Sequence, residues 1–274
     1  MAYPGGLHVI DRWGDRAPSD RGTATTVVLV HGSLDRAESF RRVARRLPNE
    51  RVVAYDRRGY HRSRTGTAGL AAHVADLLAV TAEAAGGGPA VAVGHSFGSD
   101  VVAGAALADP SRFEAVGMYE APMPWLGFFR NDMPTAPPPP EADPSEAVEH
   151  FFRRMVGDAA WERLSPASKQ ERLLDGPALL GDQRILRGPA PFDITALRVP
   201  LVVGRSSHAV PHHRGTVEWL IGHVPGATLY EIEGAPHGAH LSHPDHFAGL
   251  VRAVLARTST DEPPAADELE GSSR

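Results

Sequence analysis

The sequence predicts an α/β fold: a mostly parallel sheet with helices on both faces and a helical lid inserted in the middle of the chain. Three observations carry that prediction. Short apolar runs alternate with helix-period segments along most of the 274 residues, which is the rhythm of strand–helix–strand crossovers. Several of these runs empty into short Gly-containing turns, as at TTVVLVHGS, PAVAVGHS and PLVVGRS. The rhythm breaks over 121–190, where Met123, Trp125, Phe128, Phe129 and the run PPPP (137–140) precede two helical patterns.

Taken in order, the first element is an edge strand near LHVIDRW, and TTVVLV (25–30) is the second strand. In AESFRRVARRL, residues Phe40, Val43, Ala44 and Leu47 share one helical stripe. VVAYD (52–56) is a strand, LAAHVADLLAVTAEAA a helix and PAVAVG (89–94) the next strand. VVAGAALA continues as a helix after Ser96, and FEAVGMYE (113–120) is a strand. The inserted patterns AVEHFFRRMVG and AAWERLSPASKQERLL have too few strands and too little length for a core of their own. The strand PLVVG, a helix near TVEWLIGHV, the strand TLYEIEG and a helix ending near Arg257 complete the order. The expected organisation is a core from 1–120 and 191–257, a lid over 121–190 and a disordered acidic tail over 258–274, which is rich in Pro, Ala, Ser and acids.

Composition narrows the function classes. Hydrophobic residues at 42% and charged residues at 22% are ordinary for a soluble globular chain. With no cysteine, neither a disulfide nor a thiol nucleophile is available. The net charge is −5, and the five acids and one Arg of the tail account for −4 of it. The near-neutral body gives no electrostatic case for nucleic acid or an anionic membrane as partner. There is no basic-then-apolar leader and no run of about 18 apolar residues, so a cytoplasmic protein acting on a small molecule is expected. Oligomeric state is left open.

AVAVGHSFGSD (90–100) carries the most specific signal. A buried strand enters Gly94-His95-Ser96-Phe97-Gly98 and leaves as an apolar helix, the strand-turn-helix setting of a G-x-S-x-G nucleophile elbow. Such a turn projects the Ser96 hydroxyl from the strand end, beside the positive end of the next helix. The HGS turn places the Ser33 amide to pair with that of Phe97 as donors to a developing oxyanion, with Leu34 as a substitute or a substrate contact. His31 is read as shaping this loop. The base is His237 in IEGAPHGAHLSHP, after a strand and late in the chain, as the Ser…acid…His order of this elbow requires. A metal reading draws on His237, His240, His243 and His246, with His208, His212 and His213 upstream. Pro244 interrupts that segment and no neighbouring carboxylate or cysteine completes a ligand pattern, so no metal is expected.

With HGS, DRRGYHRS (56–63), GHSFG and GAPHGAHLSHPDHF, the chain resembles the α/β-hydrolase superfamily over roughly 7–257. DRRGYHRS is similar to that family's D-x-R-G-x-G-x-S turn, with His61 in place of the second Gly. The resemblance implies an acid after PLVV, in a pattern like G-x-x-D-x-x-x-P. Gly204 and Pro211 fit that frame, but Ser207 stands where the acid belongs, and no carboxylate lies between Asp193 and Glu218. The family also uses an acid one strand earlier, which implies Glu120 at the end of FEAVGMYE. Two roles stay open for Glu120: orienting His237, or bonding loop amides as an ordinary strand-end residue. Asp193 and Glu233 are weaker choices.

The implied chemistry is hydrolysis of an ester, lactone or thioester through an acyl-enzyme on Ser96, without an organic cofactor. Met123, Trp125, Phe128 and Phe129 are expected either to meet a small, largely apolar substrate or to pack lid to body. Lyase, cyclase or carbon–carbon cleavage chemistry on the same fold is an alternative, as is a ligand-binding protein with a vestigial triad.

Overall fold

The computed structural model describes residues 4–12, 24–65, 69–128, 136 and 138–258. Phe129 and all of the acidic tail beyond Thr258 lie outside the described residues. Seven strands form one sheet in the order β1-β3-β2-β4-β5-β6-β7. They are β1 (Val9–Arg12), β2 (Thr26–Val30), β3 (Arg51–Tyr55), β4 (Ala90–His95), β5 (Phe113–Tyr119), β6 (Leu201–Ser206) and β7 (Thr228–Ile232). The edge strand β1 runs antiparallel to β3, and the other neighbours pair in parallel.

The apolar runs are strands because both faces of the sheet are covered. In β2, Val27 and Leu29 pack under α1 (Arg41–Ala44), α9 (Ala239–Ser242) and α10 (Pro244–Leu255), while Val28 and Val30 pack under α2 (Leu70–Ala84), α3 (Phe97–Ala108) and α8 (Pro211–His223). Alternation along one strand thus feeds two cores.

Among the described residues four α-helices stand between β5 and β6: α4 (Pro144–Val156), α5 (Asp158–Glu162), α6 (Pro166–Leu173) and α7 (Gly176–Leu186). The second inserted pattern is split, because Ser165 caps α6, its hydroxyl accepting the Ser168 N–H at 3.1 Å, and Pro166 fills the first turn. Helix α7 lies outside the two inserted patterns that periodicity marked. The insertion also has a small core of its own, Val148, Phe152, Trp161 and Leu179, closed from the body by Leu34. Elsewhere Pro244 divides the last helix into α9 and α10. The stripe at Phe40–Leu47 is buried, but as a 3-10 turn over Ala37–Phe40 followed by the short α1, with Pro48 blocking extension.

A buried ion pair fastens the insertion to the sheet. Arg57, in the loop after β3, donates to both oxygens of Asp182 on α7, at 2.6 and 3.2 Å. Tyr60 and Ser33 hydroxyls each donate to the same carboxylate at 2.6 Å.

Candidate active site

Parallel strands in this order bring the tips of β2, β4, β5, β6 and β7 side by side along one rim. Ser96 follows β4 with φ 53° and ψ −129°, a conformation disfavoured for a residue with a Cβ. Two glycines make room for it. A Cβ on Gly98 would lie 2.2 Å from the Val30 carbonyl oxygen, and one on Gly32 would lie 2.9 Å from Cβ of Ser96. The HGS turn therefore runs directly against the serine. The Ser96 amide donates to the Tyr119 carbonyl at 2.9 Å, tying the turn to β5.

Next along the rim is Glu120, nearly fully buried and itself left-handed at φ 46°. Its Oε1 accepts the Ser206 N–H at 2.9 Å, and its Oε2 meets His237 Nδ1 at 2.6 Å. As an acceptor the carboxylate puts the imidazole proton on Nδ1 and leaves Nε2 with a free lone pair. The strand that resemblance would give the acid, β6, instead supplies an amide to the displaced one. Ser207 is occupied in the loop: its hydroxyl accepts the Gly234 N–H at 3.0 Å. Asp193 caps the turn at Thr195.

The His237 loop lacks regular structure, so its carbonyls need partners. Three in succession find them on three different strands. Ser206 donates to Ala235 O, Tyr119 Oη to Pro236 O at 3.4 Å, and His95 Nε2 to His237 O at 2.9 Å. His213 stacks on His237 with centroids 4.8 Å apart and planes at 8°. Burial, then the His237 and His212 charges, push the pKa of His213 well down, so it stays neutral beside His237. His31 is a loop-shaping residue: its Nδ1 donates to Gly32 O and its Nε2 accepts the Arg57 N–H. Burial, then Arg57, lowers its pKa to about 4.

Ser33, Ser96, Glu120 and His237 line one cavity of about 610 Å³, within the usual range for small-molecule sites. Its apolar wall is Pro122, Phe151, Met155, Leu186, Ala209 and Val210, and its polar wall includes Gln183, Arg154, Arg187, His208 and His212. The expected substrate contacts are elsewhere. Met123 is fully buried in the main core, and Trp125 packs there edge-on against Phe192. Phe128 lies over Gly215 of α8. Leu34 closes the insertion's core and does not line the cavity. Met123 and Trp125 thus pack insertion to body, the second of the two expected roles, while Phe128 stays exposed at 37%. The apolar wall comes instead from α4 and α7, through Phe151, Met155 and Leu186, and from the loops that carry Pro122, Ala209 and Val210.

The histidine-rich segment does meet carboxylates in space, although not in sequence. Asp35, His95 and His240 come within 4.8 Å of one another, as do Glu120, His213 and His237. Within each group one acid–imidazole hydrogen bond is formed, at 3.0 Å for Asp35 with His240. Among the described residues no helix is long and apolar enough to cross a membrane.

Comparison with known proteins agrees with this architecture. The chain is 28% identical to the polyketide synthase ThaQ of Burkholderia thailandensis over 94% of its own length and 13% of that protein's. It is 28% identical to lipase LipV of Mycobacterium tuberculosis over 58% of each. It thus spans less than two thirds of either relative. The crystal structure of the enol-lactonase from Burkholderia xenovorans LB400 superposes with a TM-score of 0.69 at 19% identity, over 93% of this chain and 99% of that one, a likeness of fold. The profile of the Alpha/beta hydrolase family matches residues 27–250, and the chain belongs to that family.

Proposed function

We propose that the protein is a serine hydrolase that cleaves an ester-like bond, whether ester, lactone or thioester, through an acyl-enzyme. The observation that carries this reading is the 2.6 Å contact of Glu120 Oε2 with His237 Nδ1, beside a strained serine in the same cavity. The lipase and enol-lactonase likenesses agree with ester-like substrates.

His237 Nε2 takes the Ser96 proton as Oγ attacks the carbonyl carbon. The carbonyl π electrons move to oxygen, where the Ser33 and Phe97 amides receive them; losing one such donor costs about 3 kcal/mol of barrier. The imidazolium, steadied by Glu120, returns its proton to the departing alkoxide or thiolate. Water, deprotonated by His237, then attacks the acyl carbon and releases a carboxylic acid and Ser96. No metal takes part in these steps.

A fluorophosphonate probe with p-nitrophenyl esters tests the reading. Covalent labelling of the intact chain, lost in Ser96→Ala, together with ester turnover is the expected outcome. Labelling without turnover of any ester, lactone or thioester would refute hydrolysis, and absence of labelling would refute an activated serine.

A further inference from the structure

The walls of the cavity are electrostatically lopsided. Its one carboxylate, among the described residues, is Glu120, and both oxygens of that group are engaged by Ser206 and His237. Two arginines line the same cavity, Arg154 from α4 and Arg187 at the end of α7. Arg154 lies over the Phe151 ring at 6.0 Å. Arg187 is half-buried, and its Nε is enclosed without a hydrogen-bond partner among the described residues.

That arrangement is costly unless something compensates it. Burial, and then the Arg154 charge, lower the Arg187 pKa, with no carboxylate among the described residues acting on it in the opposite sense. Buried guanidinium groups ordinarily sit against an anion, and a like charge nearby raises the cost of leaving them bare. Other arginines of this chain obey the rule: Arg57 has Asp182, Arg58 has Asp76 and Arg51 has Asp11. Arg187 departs from it, and does so inside the cavity that holds Ser96. A planar fork of N–H donors at such a place matches a carboxylate or a phosphate, the groups guanidinium binds in bidentate fashion.

We propose that Arg187, with Arg154 beside it, is a receptor for an oxyanion on the substrate, a carboxylate or a phosphate set apart from the bond that is cleaved. This revises the expected apolar ligand to one with an aliphatic middle, lying on Phe151, Met155 and Leu186, and a charged end. The assignment of the ester-like bond rests on the proposed hydrolase function; the receptor itself does not.

A matched series tests it: mono-p-nitrophenyl glutarate, its terminal phosphonate analogue, and the uncharged p-nitrophenyl pentanoate. Wild-type protein is expected to favour one anionic ester over the pentanoate by about tenfold or more in kcat/KM at low salt. The preferred anion distinguishes a carboxylate site from a phosphate site. In Arg187→Gln that ratio collapses toward unity, chiefly through KM, and Arg187→Lys, which keeps the charge and loses the fork, falls between. A ratio near one in the wild type, or a ratio unchanged in Arg187→Gln, overturns the receptor. If no ester is turned over, calorimetry with free glutarate and with inorganic phosphate decides the matter. Binding weakened about tenfold or more in Arg187→Gln then sustains the receptor while the hydrolase reading falls, and binding that is absent or indifferent to the substitution overturns it.

Discussion

Glu120 shows how a single residue can satisfy two readings that the sequence leaves as alternatives. One carboxylate oxygen bonds a loop amide, as a strand-end Glu would, and the other holds the imidazole. Glu120→Gln keeps the shape and the amide bond but presents a neutral partner to His237. Turnover is expected to fall by about 10³- to 10⁴-fold with the circular dichroism spectrum and melting temperature unchanged. Near-normal turnover would mean that the 2.6 Å contact has no catalytic consequence. Gly98 is constrained by sterics alone. Gly98→Ala would press a methyl group against the Val30 carbonyl, and a loss of about 3 kcal/mol or more is expected in urea unfolding, at the upper end for overpacking. His61, where the family pattern has Gly, takes φ 45° and is held there by Asp56 and Glu171. A left-handed non-glycine residue is tolerated when side-chain bonds offset its strain.

At the scale of elements, the His237 loop is a platform tied to β4, β5 and β6 through three consecutive carbonyls. His95→Phe keeps the ring packing and removes one tie. If His237 is the base of the proposed hydrolase, about a tenfold fall in kcat with little change in KM is expected from steady-state kinetics, because a small displacement of that ring affects proton transfer more than binding. The strands were legible in the sequence because a sheet covered on both faces makes each strand a short apolar run. The elbow was legible because strain and close approach demand Gly at fixed spacing. The cavity wall was not. In HFFRRM, Phe151 and Met155 face the cavity while Phe152 enters the insertion's core, and helical periodicity cannot say which stripe meets which neighbour. Nor did local pattern reveal Asp182, whose partners Ser33, Arg57 and Tyr60 lie over a hundred positions away. An aspartate inside the apolar stretch ALLGDQRIL was the available sign.

For the whole molecule, that aspartate joins insertion to sheet. Burial works to raise the Asp182 pKa, and the Arg57 charge and hydrogen bonds outweigh it and hold the carboxyl below the ordinary range. A carboxyl with a depressed folded pKa adds stability above its unfolded value, about 4, and loses it as pH falls through the folded value. Asp182→Asn is expected to cost about 3 kcal/mol at neutral pH, since it leaves Arg57 buried without a counter-charge. Below about pH 4 the wild-type melting temperature should fall toward that of the variant, whereas parallel curves throughout would assign the acid sensitivity to other groups. The same clasp limits how the chamber can be reached. Prising α7 upward would strand two full charges, so the helix that carries Gln183 and Leu186 into the chamber is anchored to the sheet, while Met155 and Val210 on the same chamber are wetted by solvent.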